Sequence, residues 1–459
     1  MGQEFVLGID FGTSVVKATA MELTTANCIQ HTRQYNSSFE QRSCEGWTQV
    51  FKDTVRSITE RLPADSRYSS LAVTGMVPNV CLVDNDNAEI GTLLFCDNEA
   101  YDLEDRLDHE LSSPKWANEV LSKILFLSKR NNGFFKRWYT THNWINYLLT
   151  GRYAIDSITA SETGNLIVPG SGWSNETLSA FHLQSETFPE IVAPIAIIGN
   201  VKNDLGIPQL NGIPIVAGSS DTLATALGAG LSSNPLELLI YYGTFNCAAL
   251  IHGGRDTILE SALPRNPFEW VLSIPRAGDQ LRHIAELFGI GDSLGEKLKS
   301  LDIQAQLAPA GSNGLIFLHS EDIRKTTVSS KPIAQFRNIS PSHTRADFCR
   351  AVLEGFSYLL RWSFQELSDR KISQAICAGG GARSKVWRQI VTDVTGVAQN
   401  YRPKADRGLG SALLALAALD KNAYGNLDSI LGSEAIKLHP LPNTAYNDQY
   451  RKYLSSWSQ

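Results

Sequence analysis

A Gly-Thr pair occurs twice in this chain in matching surroundings, and this repeat constrains the fold more than any other sequence feature. One copy is Leu7-Gly8-Ile9-Asp10-Phe11-Gly12-Thr13-Ser14, and the other is Leu239-Ile240-Tyr241-Tyr242-Gly243-Thr244-Phe245-Asn246. In each, an apolar run that predicts a buried strand reaches Gly-Thr and is followed by a second apolar run. Glycine lets backbone approach an anion, and the hydroxyl adds a hydrogen bond. Either copy alone is also consistent with a plain turn, but together they predict two similar domains that hold the phosphates of one nucleotide.

A third glycine-rich turn, Gly379-Gly380-Gly381, follows an apolar run that ends at Ala378. A helix with apolar residues from Val386 to Val394 comes after it. A strand, glycines and a helix in this order let backbone approach a nucleotide at a helix N-terminus. The stretch is neither a Walker A motif nor Gly-x-Gly-x-x-Gly. A tight strand-to-helix turn is the alternative, but three consecutive glycines cost stability without a closely approaching partner, which favours the nucleotide.

Two aspartates occupy positions that suit phosphate chemistry. Asp221 follows the apolar and small residues 216–220 and precedes a helix of small residues. Its carboxylate is placed to accept a proton from an attacking hydroxyl, although a simple helix N-cap would use the same residue. Asp10 comes just before the first Gly-Thr turn. It is either a turn aspartate or a residue that holds hydrated Mg²⁺ against phosphates.

Length and composition exclude several classes of protein. A chain of 459 residues with 43% apolar and 19% charged residues predicts two to four globular domains and excludes disorder. A net charge of −6 without a basic stripe argues against nucleic acid as a partner. No apolar run approaches the ~20 residues of a membrane span, and the first residues do not resemble a signal peptide. Seven scattered cysteines without a Cys-x-x-Cys pair predict reduced core thiols in a cytoplasmic protein.

The hydrophobic pattern alternates between strand and helix in both halves, which indicates an α/β fold. Residues 231–236, with two serines, an asparagine and a proline, are the best candidate for a domain boundary. Residues 255–330 are expected to be the least regular part. Strands are predicted at 5–22 and 70–84, and helices at 99–112, 117–130, 141–150 and 345–369.

The ordered set of motifs resembles the FGGY family of carbohydrate kinases, within the actin–hexokinase superfamily, over nearly the whole chain. Besides the two Gly-Thr stretches and Gly379–Gly381, the similar segments are Leu148–Tyr153 with Asp156 and Ala160-Ser161, Gly218–Asp221 with Ala226–Gly230, Gly311–Leu318, Arg350–Gly355 and Gly410–Ala415. The resemblance implies an α/β protein of two actin-like (ribonuclease H-like) domains with a central cleft. Residues 1–230 would bind the sugar, and residues 231–459 would bind ATP.

The resemblance also implies the site residues and the partners. Asp221 would be the general base that takes the proton of the sugar hydroxyl. The cofactors would be ATP and Mg²⁺, and the partner a small sugar or polyol, with neither nucleic acid nor membrane involved. A homodimer is one expectation for the assembly, which the sequence does not fix. The implied residues are Asp10 and Asp221 for the metal, Met76, Asp97 and Asp221 for the sugar, and Gly12, Thr13, Ser14, Gly243, Thr244, Gly379, Gly380, Gly381 and Ser384 for the nucleotide.

Two departures from the family pattern bear on the substrate. Pro78 stands where relatives often have histidine, and Glu99 stands where many have arginine. Asp97 follows an apolar run and is either a sugar ligand or a turn aspartate that opens the next helix. Because Glu99 makes the pocket more acidic, like-charge repulsion should disfavour sugar acids such as gluconate. The expected acceptor is a neutral ketose or polyol, with a xylulose-like pentulose favoured.

Two other functions remain open at this point. One is a non-catalytic sugar- or nucleotide-binding regulator on the same scaffold, against which Asp10, Asp221 and the three glycine sites argue. The other is an actin-like or chaperone-type ATPase that uses water as the acceptor, against which segments 148–153 and 218–230 argue. A sugar-stimulated ATPase assay separates the three functions.

Overall fold

The computed structural model of the protein divides into two compact units. Unit 1 comprises Met1–Ser233, Gly253–Pro267 and Ala405–Gly432, and unit 2 comprises Asn234–His252, Phe268–Lys404 and Ser433–Gln459. None of the helices in the described part of the chain combines the length and apolarity needed to cross a bilayer. The structure describes residues 2–95, 97–114, 117–203, 205–243, 246–274, 277–319, 334–365, 367–370, 372–420, 435–441 and 444–456.

Strands and helices alternate along most of the described chain. The strands are β1 (Glu4–Phe11), β2 (Val15–Glu22), β3 (Cys28–Gln34), β4 (Arg67–Gly75), β5 (Val80–Val83), β6 (Glu89–Leu93), β7 (Arg137–Tyr139), β8 (Ala154–Asp156), β9 (Ile167–Val168), β10 (Gly172–Trp173), β11 (Glu190–Val192), β12 (Ile197–Asn200), β13 (Pro214–Ser220), β14 (Leu236–Tyr242), β15 (Asn246–His252), β16 (Phe268–Ile274), β17 (Ile316–Leu318), β18 (Gln335–Arg337), β19 (Gln374–Ala378), β20 (Ala398–Tyr401) and β21 (Ile436–Leu438). The helices are α1 (Ser38–Arg42), α2 (Cys44–Thr59), α3 (Tyr101–Glu110), α4 (Glu119–Ser128), α5 (Thr141–Thr150), α6 (Ser157–Ser161), α7 (Asn175–Ala180), α8 (Asp221–Ala229), α9 (Gly254–Glu260), α10 (Ala277–Phe288), α11 (Leu294–Leu307), α12 (Arg345–Gln365), α13 (Lys385–Thr395), α14 (Arg407–Leu419) and α15 (Thr444–Ser456).

Each unit contains one six-stranded mixed sheet, and the two sheets share one topology. In unit 1 the strand order is β3-β2-β1-β4-β13-β12, and in unit 2 it is β16-β15-β14-β19-β20-β21. In both sheets, taken in this order, the first two pairs of neighbouring strands are antiparallel, the next two pairs are parallel, and the last pair is antiparallel. The two Gly-Thr stretches fall between equivalent strands, β1–β2 and β14–β15. The repeat in the sequence is therefore a repeat of structure, as predicted.

Helix α14 covers the sheet of unit 1 although it lies near the other end of the chain. It contacts β1, β2, β4, β13 and the neighbouring helix α8. The approach is so close that glycine is required at the contacts. A Cβ atom at Gly8 would lie 2.0 Å from the Ala412 nitrogen, and one at Gly410 would lie 1.9 Å from the Ala224 carbonyl oxygen. Small residues therefore set the distance between these helices and the sheet.

Most of the predicted elements are confirmed, and one regional prediction is wrong. The predicted helices correspond to α3, α4, α5 and α12, and the strands at 5–22 and 70–84 correspond to β1, β2, β4 and β5. The α/β class is confirmed. Residues 255–330, expected to be irregular, contain α9, β16, α10, α11 and β17 within their described part. Helix α11 begins with a capping box between Ser293 and Glu296, a local signal that indicates a helix.

Candidate active site

Asp10 lies near the end of β1, in the interior of unit 1. The parallel register sets it beside Thr74 on β4, whose Oγ1 donates a hydrogen bond of 2.8 Å to Asp10 Oδ1. Ser411 of α14 contacts the same threonine hydroxyl at 2.6 Å between the two oxygens. Burial raises the pKa of Asp10 to about 6; Arg407 opposes this rise and Asp221 adds to it. Asp10 is thus a buried carboxyl group that is held by the Thr74 hydroxyl and coupled to other charges of the site.

Asp221 is the first residue of α8, directly after β13. The N-cap position belongs to Ser220, which has extended backbone angles, so the alternative of a simple N-cap for Asp221 was wrong. Its Oδ2 lies 2.9 Å from Nη1 of Arg407. Burial raises the pKa of Asp221, whereas Arg407 and His142 lower it. The side chain keeps 16% of its surface exposed, so an acceptor hydroxyl can reach the carboxylate.

Arg407, which the sequence reasoning missed, links the parts of this site. It begins α14, and its Nε donates a hydrogen bond of 3.2 Å to Thr225 Oγ1 on α8. A Cβ atom built on Gly12 would lie 3.6 Å from Arg407 Nη1 and 3.7 Å from Asp10 Oδ2. The first glycine turn, two carboxylates and a guanidinium therefore converge within unit 1. One sequence feature could have pointed to Arg407. The arginine lies in the first turn of a predicted helix, where the helix dipole disfavours a positive charge unless an anionic group is nearby.

The glycine turn between β1 and β2 is fixed by hydrogen bonds to its carbonyl groups. Tyr35 Oη donates to the Gly12 oxygen at 3.0 Å, and Gln41 Nε2 donates to the Thr13 oxygen at 2.5 Å. The Gly12 amide donates to the Val15 oxygen at 3.0 Å. Ser14 is exposed and Thr13 is half-buried. The structure thus sets Gly12 beside Asp10 and Arg407, while the contact of Gly12, Thr13 and Ser14 with phosphates stays a prediction.

A buried polar network lies behind Asp221. Ser219 Oγ donates to Asp156 Oδ1 at 2.7 Å, and His142 Nε2 lies 3.3 Å from Asp156 Oδ2. Asp156 Oδ1 also accepts the amides of Ile158 and Thr159 at the start of α6. His142 and Asp156 are both fully buried. This network anchors the end of β13 and so fixes where Asp221 begins its helix, a role that the sequence reasoning did not give to His142.

Glu162 is a further carboxyl group close to Asp221. Ser220 Oγ donates to its Oε1 at 3.2 Å, and its Oε2 is buried without a hydrogen-bond partner among the described residues. Burial raises the pKa of Glu162 well above its usual range, and the charges of Asp221 and Asp156 act in the same direction. Burial and these two carboxylates thus act together against a further negative charge on this side of the site.

The donor chemistry of Asp10 and Asp221 suits Mg²⁺. Magnesium prefers hard oxygen ligands and usually binds one or two carboxylates together with several waters. Asp10 offers Oδ2 on the side of the Gly12 turn, while its Oδ1 accepts the Thr74 hydroxyl. The Oδ2 atom of Asp221 is engaged by Arg407. These two residues could hold the ion, whose charge would neutralise the phosphates of a bound nucleotide.

The three residues predicted at the sugar site have different surroundings. Met76 is only 1% exposed and packs in the core of unit 1, so its part in sugar binding stays a prediction. Asp97 pairs with Arg42 of α1, whose Nη1 lies 2.6 Å from each carboxylate oxygen. The Leu94 amide also donates to Asp97 at 2.8 Å. Glu99 is exposed. An arginine therefore does reach Asp97, but from α1 and not from position 99.

In unit 2 the three consecutive glycines differ in what their backbone requires. Gly379 has a φ of 95°, and a Cβ there would lie 2.4 Å from the Tyr242 oxygen. A Cβ on Gly381 would lie 2.7 Å from the ring of Trp387. Gly380 has neither constraint, since its Cβ position has no neighbour within 4 Å among the described residues beyond Gly379 and Gly381. The fold explains Gly379 and Gly381, and it leaves Gly380 as the glycine whose open space a ligand could use.

The other nucleotide-site predictions in unit 2 are only partly described. Ser384 is the N-cap of α13, accepting the Trp387 amide at 3.0 Å and donating to Asp302 at 2.8 Å. Its hydroxyl therefore already has a structural role. Gly243 follows β14, and a Cβ on it would meet the ring of Tyr241 at 2.2 Å. Thr244 lies outside the described residues. All nucleotide contacts of these residues stay predictions.

Comparison with known proteins identifies the class to which this fold and site belong. The N-terminal domain of the FGGY family of carbohydrate kinases matches residues 5–228, and the C-terminal domain of that family matches residues 265–419. The chain belongs to the FGGY family of carbohydrate kinases and is an ATP-dependent sugar kinase. Its two repeated sheets form the actin-like domains of this family.

Individual relatives have different acceptors. The chain is 24% identical to a xylulose kinase of Staphylococcus epidermidis, with 99% of this chain and 96% of the relative covered. It is 25% identical to a gluconokinase of Bacillus subtilis, covering 94% and 90%. The solved xylulose kinase of Rhodospirillum rubrum superposes with a TM-score of 0.78 at 21% identity, covering 99% and 98%. The fold is thus shared over the whole chain, while the relatives differ in substrate.

Proposed function

We propose that the protein transfers the γ-phosphate of ATP to a hydroxyl group of a neutral ketose or polyol, with a xylulose-like pentulose favoured and Mg²⁺ as the metal. The observation that carries this proposal is the placement of Asp221. Its carboxylate begins a helix at the end of a sheet strand, pairs with Arg407 and retains exposed surface. Unit 1 would supply the acceptor site and unit 2 the adenosine site. A cytoplasmic location and a homodimer stay predictions.

Each charged residue of the site has a distinct task in this reaction. Asp221 accepts the proton of the acceptor hydroxyl as that oxygen attacks phosphorus. Arg407 holds the carboxylate in one orientation by the 2.9 Å ion pair. Asp10 and Asp221 would hold Mg²⁺, which supplies charge neutralisation for the phosphates when bound. Phosphoryl transfer depends on positioning and electrostatic stabilisation more than on covalent chemistry, and this site offers both.

The charges near the acceptor site favour a neutral substrate. Asp97 is not a lone negative charge as the sequence suggested, because Arg42 neutralises it. Asp97 is nearly buried, with 7% of its side chain exposed, whereas 36% of the Arg42 side chain is exposed. A carboxylate has more acceptor positions than these bonds use, so Asp97 can still receive a sugar hydroxyl. A sugar acid would compete with Asp97 for Arg42 and would also face Asp10 and Asp221, so a neutral polyhydroxyl compound fits better.

The acceptor preference is tested by kcat/KM for D-xylulose, other neutral ketoses, polyols and gluconate under identical conditions. We expect kcat/KM for a neutral ketose or polyol to exceed that for gluconate by at least about tenfold. One unfavourable interaction with a charged group, of roughly 1.5 kcal/mol, corresponds to that factor. A clear preference for gluconate would overturn the charge argument, and ATP hydrolysis that no acceptor stimulates would overturn the kinase proposal.

Two variants in the same assay test whether Asp97 binds the acceptor or whether loss of any ion pair in unit 1 has the same effect. Asp97→Ala should raise KM for the preferred acceptor about tenfold or more, because charged-group hydrogen bonds contribute roughly 1.5–3 kcal/mol each. Arg152→Ala is the matched control, since it removes an ion pair with Glu190 in which both side chains are about half exposed. Undiminished acceptor affinity in Asp97→Ala would remove the role given to this residue.

A valine at Gly380 is expected to raise KM for ATP sharply while leaving the acceptor affinity unchanged. Among the described residues other than its chain neighbours, no atom lies within 4 Å of the Cβ position, so the first side-chain atom meets no clash there. The branched group would instead fill space next to backbone that adenosine should approach. Titration of the folded variant with ATP and with acceptor separately measures both affinities. Gly172→Val in unit 1 is the matched control, because its Cβ position also has no neighbour within 4 Å in the described part of the chain and its φ is not positive. Unchanged ATP affinity in Gly380→Val would place adenosine elsewhere.

A further inference from the structure

Two cysteines contact each other in unit 1, and neither belongs to the cluster of Asp10, Asp221 and Arg407. The Sγ atoms of Cys44 and Cys81 are 2.8 Å apart. Cys44 is the first residue of α2 and Cys81 lies in β5, so the contact joins a helix to a strand. Apolar heavy atoms normally touch at ~4 Å, so this separation is well inside ordinary contact. Cys44 is 4% exposed and Cys81 is fully buried, which shields the pair from most other thiols.

A nearby carboxylate raises the alternative of a metal site, but the geometry does not favour it. Glu89 lies close to both sulfur atoms. Its Oε2 accepts the Cys44 amide at 2.8 Å, and its Oε1 accepts the Thr92 hydroxyl at 2.7 Å. Two thiolates on one tetrahedral zinc ion, each ~2.3 Å from it, would be roughly 3.8 Å apart. The observed separation is shorter than that, and the Glu89 oxygens already have protein partners.

We propose that Cys44 and Cys81 form a reversible disulfide, made by a hydroperoxide and broken by a dithiol. The Cys44 thiolate attacks one peroxide oxygen, the O–O bond breaks, and the departing hydroxide takes a proton to become water. The Cys81 thiolate then attacks the resulting sulfenic sulfur, the S–S bond forms, and the hydroxide that leaves becomes a second water. Two thiols and one hydrogen peroxide thus give one disulfide and two waters.

The surroundings of Cys44 favour it as the thiol that attacks the peroxide, and they predict slow oxidation. Cys44 has the greater exposure and begins a helix of 16 residues, whose N-terminus favours a thiolate. Burial nevertheless raises the pKa of Cys44, and the neighbouring Cys81 and Glu89 act in the same direction. We therefore expect oxidation over minutes to hours and not within seconds. The bond would tie α2 to β5 in unit 1, whatever the acceptor of the kinase.

The test is peptide mapping of the full-length protein. Reduced protein is incubated with hydrogen peroxide, free thiols are blocked with N-ethylmaleimide, and the chain is cleaved after glutamate. Cleavage at Glu40, Glu45, Glu60 and Glu89 separates Cys44 and Cys81 from each other and from Cys96. We expect a linked pair of peptides, 41–45 with 61–89, which disappears on treatment with dithiothreitol. The disulfide should also raise the unfolding midpoint by about 2–6 °C, reversibly.

Variants distinguish this disulfide from other oxidation. Cys44→Ser and Cys81→Ser should each abolish the linked peptides, while Cys28→Ser, which removes an exposed thiol, should leave them unchanged. Oxidation of Cys28 without any 44–81 linkage in the wild-type protein would overturn the proposal. One bound zinc per chain, lost in Cys44→Ser, would overturn it in favour of a metal site. The wild-type map decides the question even if a serine variant fails to fold.

Discussion

Replacement of Asp221 by asparagine is expected to lower kcat by a factor on the order of 10²–10⁴, while the ATP affinity changes far less because Asp10 remains to hold Mg²⁺. The amide cannot accept the proton of the attacking hydroxyl. It has nearly the same shape, and its oxygen can still accept a hydrogen bond from Arg407, which now lies 2.9 Å from the carboxylate. The loss should therefore appear in the chemical step and not in folding.

The measurement is steady-state kinetics with the preferred acceptor, together with equilibrium titration with ATP. Asp84→Asn is the matched control, because it makes the same chemical change in an exposed turn where Asp84 Oδ1 accepts the amides of Asp86 and Ala88. If Asp221→Asn retained more than about a third of wild-type kcat, another residue would have to be the base.

Alanine at Gly410 is expected to destabilise unit 1 by about 3 kcal/mol, which is at the upper end of ordinary overpacking. The new methyl group would lie 1.9 Å from the Ala224 oxygen, so α14 and α8 would have to separate. Alanine favours a helix over glycine by ~1 kcal/mol, and the steric cost should exceed that gain.

Urea-induced unfolding followed by tryptophan fluorescence and by circular dichroism measures the effect. Gly172→Ala serves as the control, because its Cβ position meets no atom within 4 Å in the described part of the chain, its two neighbours aside. Gly8→Ala probes the contact of β1 with the same helix, where the added atom would lie 2.0 Å from the Ala412 nitrogen, and should act in the same direction. A Gly410→Ala protein as stable as the control would mean that the helix contacts adjust at little cost.

Features encoded by neighbouring residues were the ones that the sequence predicted well. The apolar runs on either side of Gly12 and Gly243 predicted two hairpins, and each occupies the same place in its sheet. The strand before Gly379 and the helix after Ser384 were likewise visible from periodicity. The local hydrophobic pattern and the glycine positions were sufficient to predict these elements, because hairpins and strand-to-helix turns depend mainly on backbone geometry and burial.

Contacts between distant segments could not be predicted in this way. Arg407 meets Asp221 across 186 positions of sequence, and Arg42 meets Asp97 across 55. Neither arginine is part of a short sequence motif that indicates a function. For the same reason, the prediction of a more acidic sugar site did not take into account that Arg42 pairs with Asp97. Only the fold of unit 1 shows which opposite charges share a location, and that depends on tertiary packing.

The position of α14 in the chain has a consequence for the order in which the protein can form during synthesis. The sheet of unit 1 is encoded before residue 221, yet the helix that covers one of its faces begins at Arg407. At ~5–20 residues per second, a ribosome needs roughly ten to forty seconds to make the intervening chain. Throughout that interval the apolar surface around Gly8 lacks its native cover. The nascent N-terminal half is therefore the stage at which aggregation or chaperone capture should be greatest, and release of a chain that ends before residue 407 should yield an insoluble product.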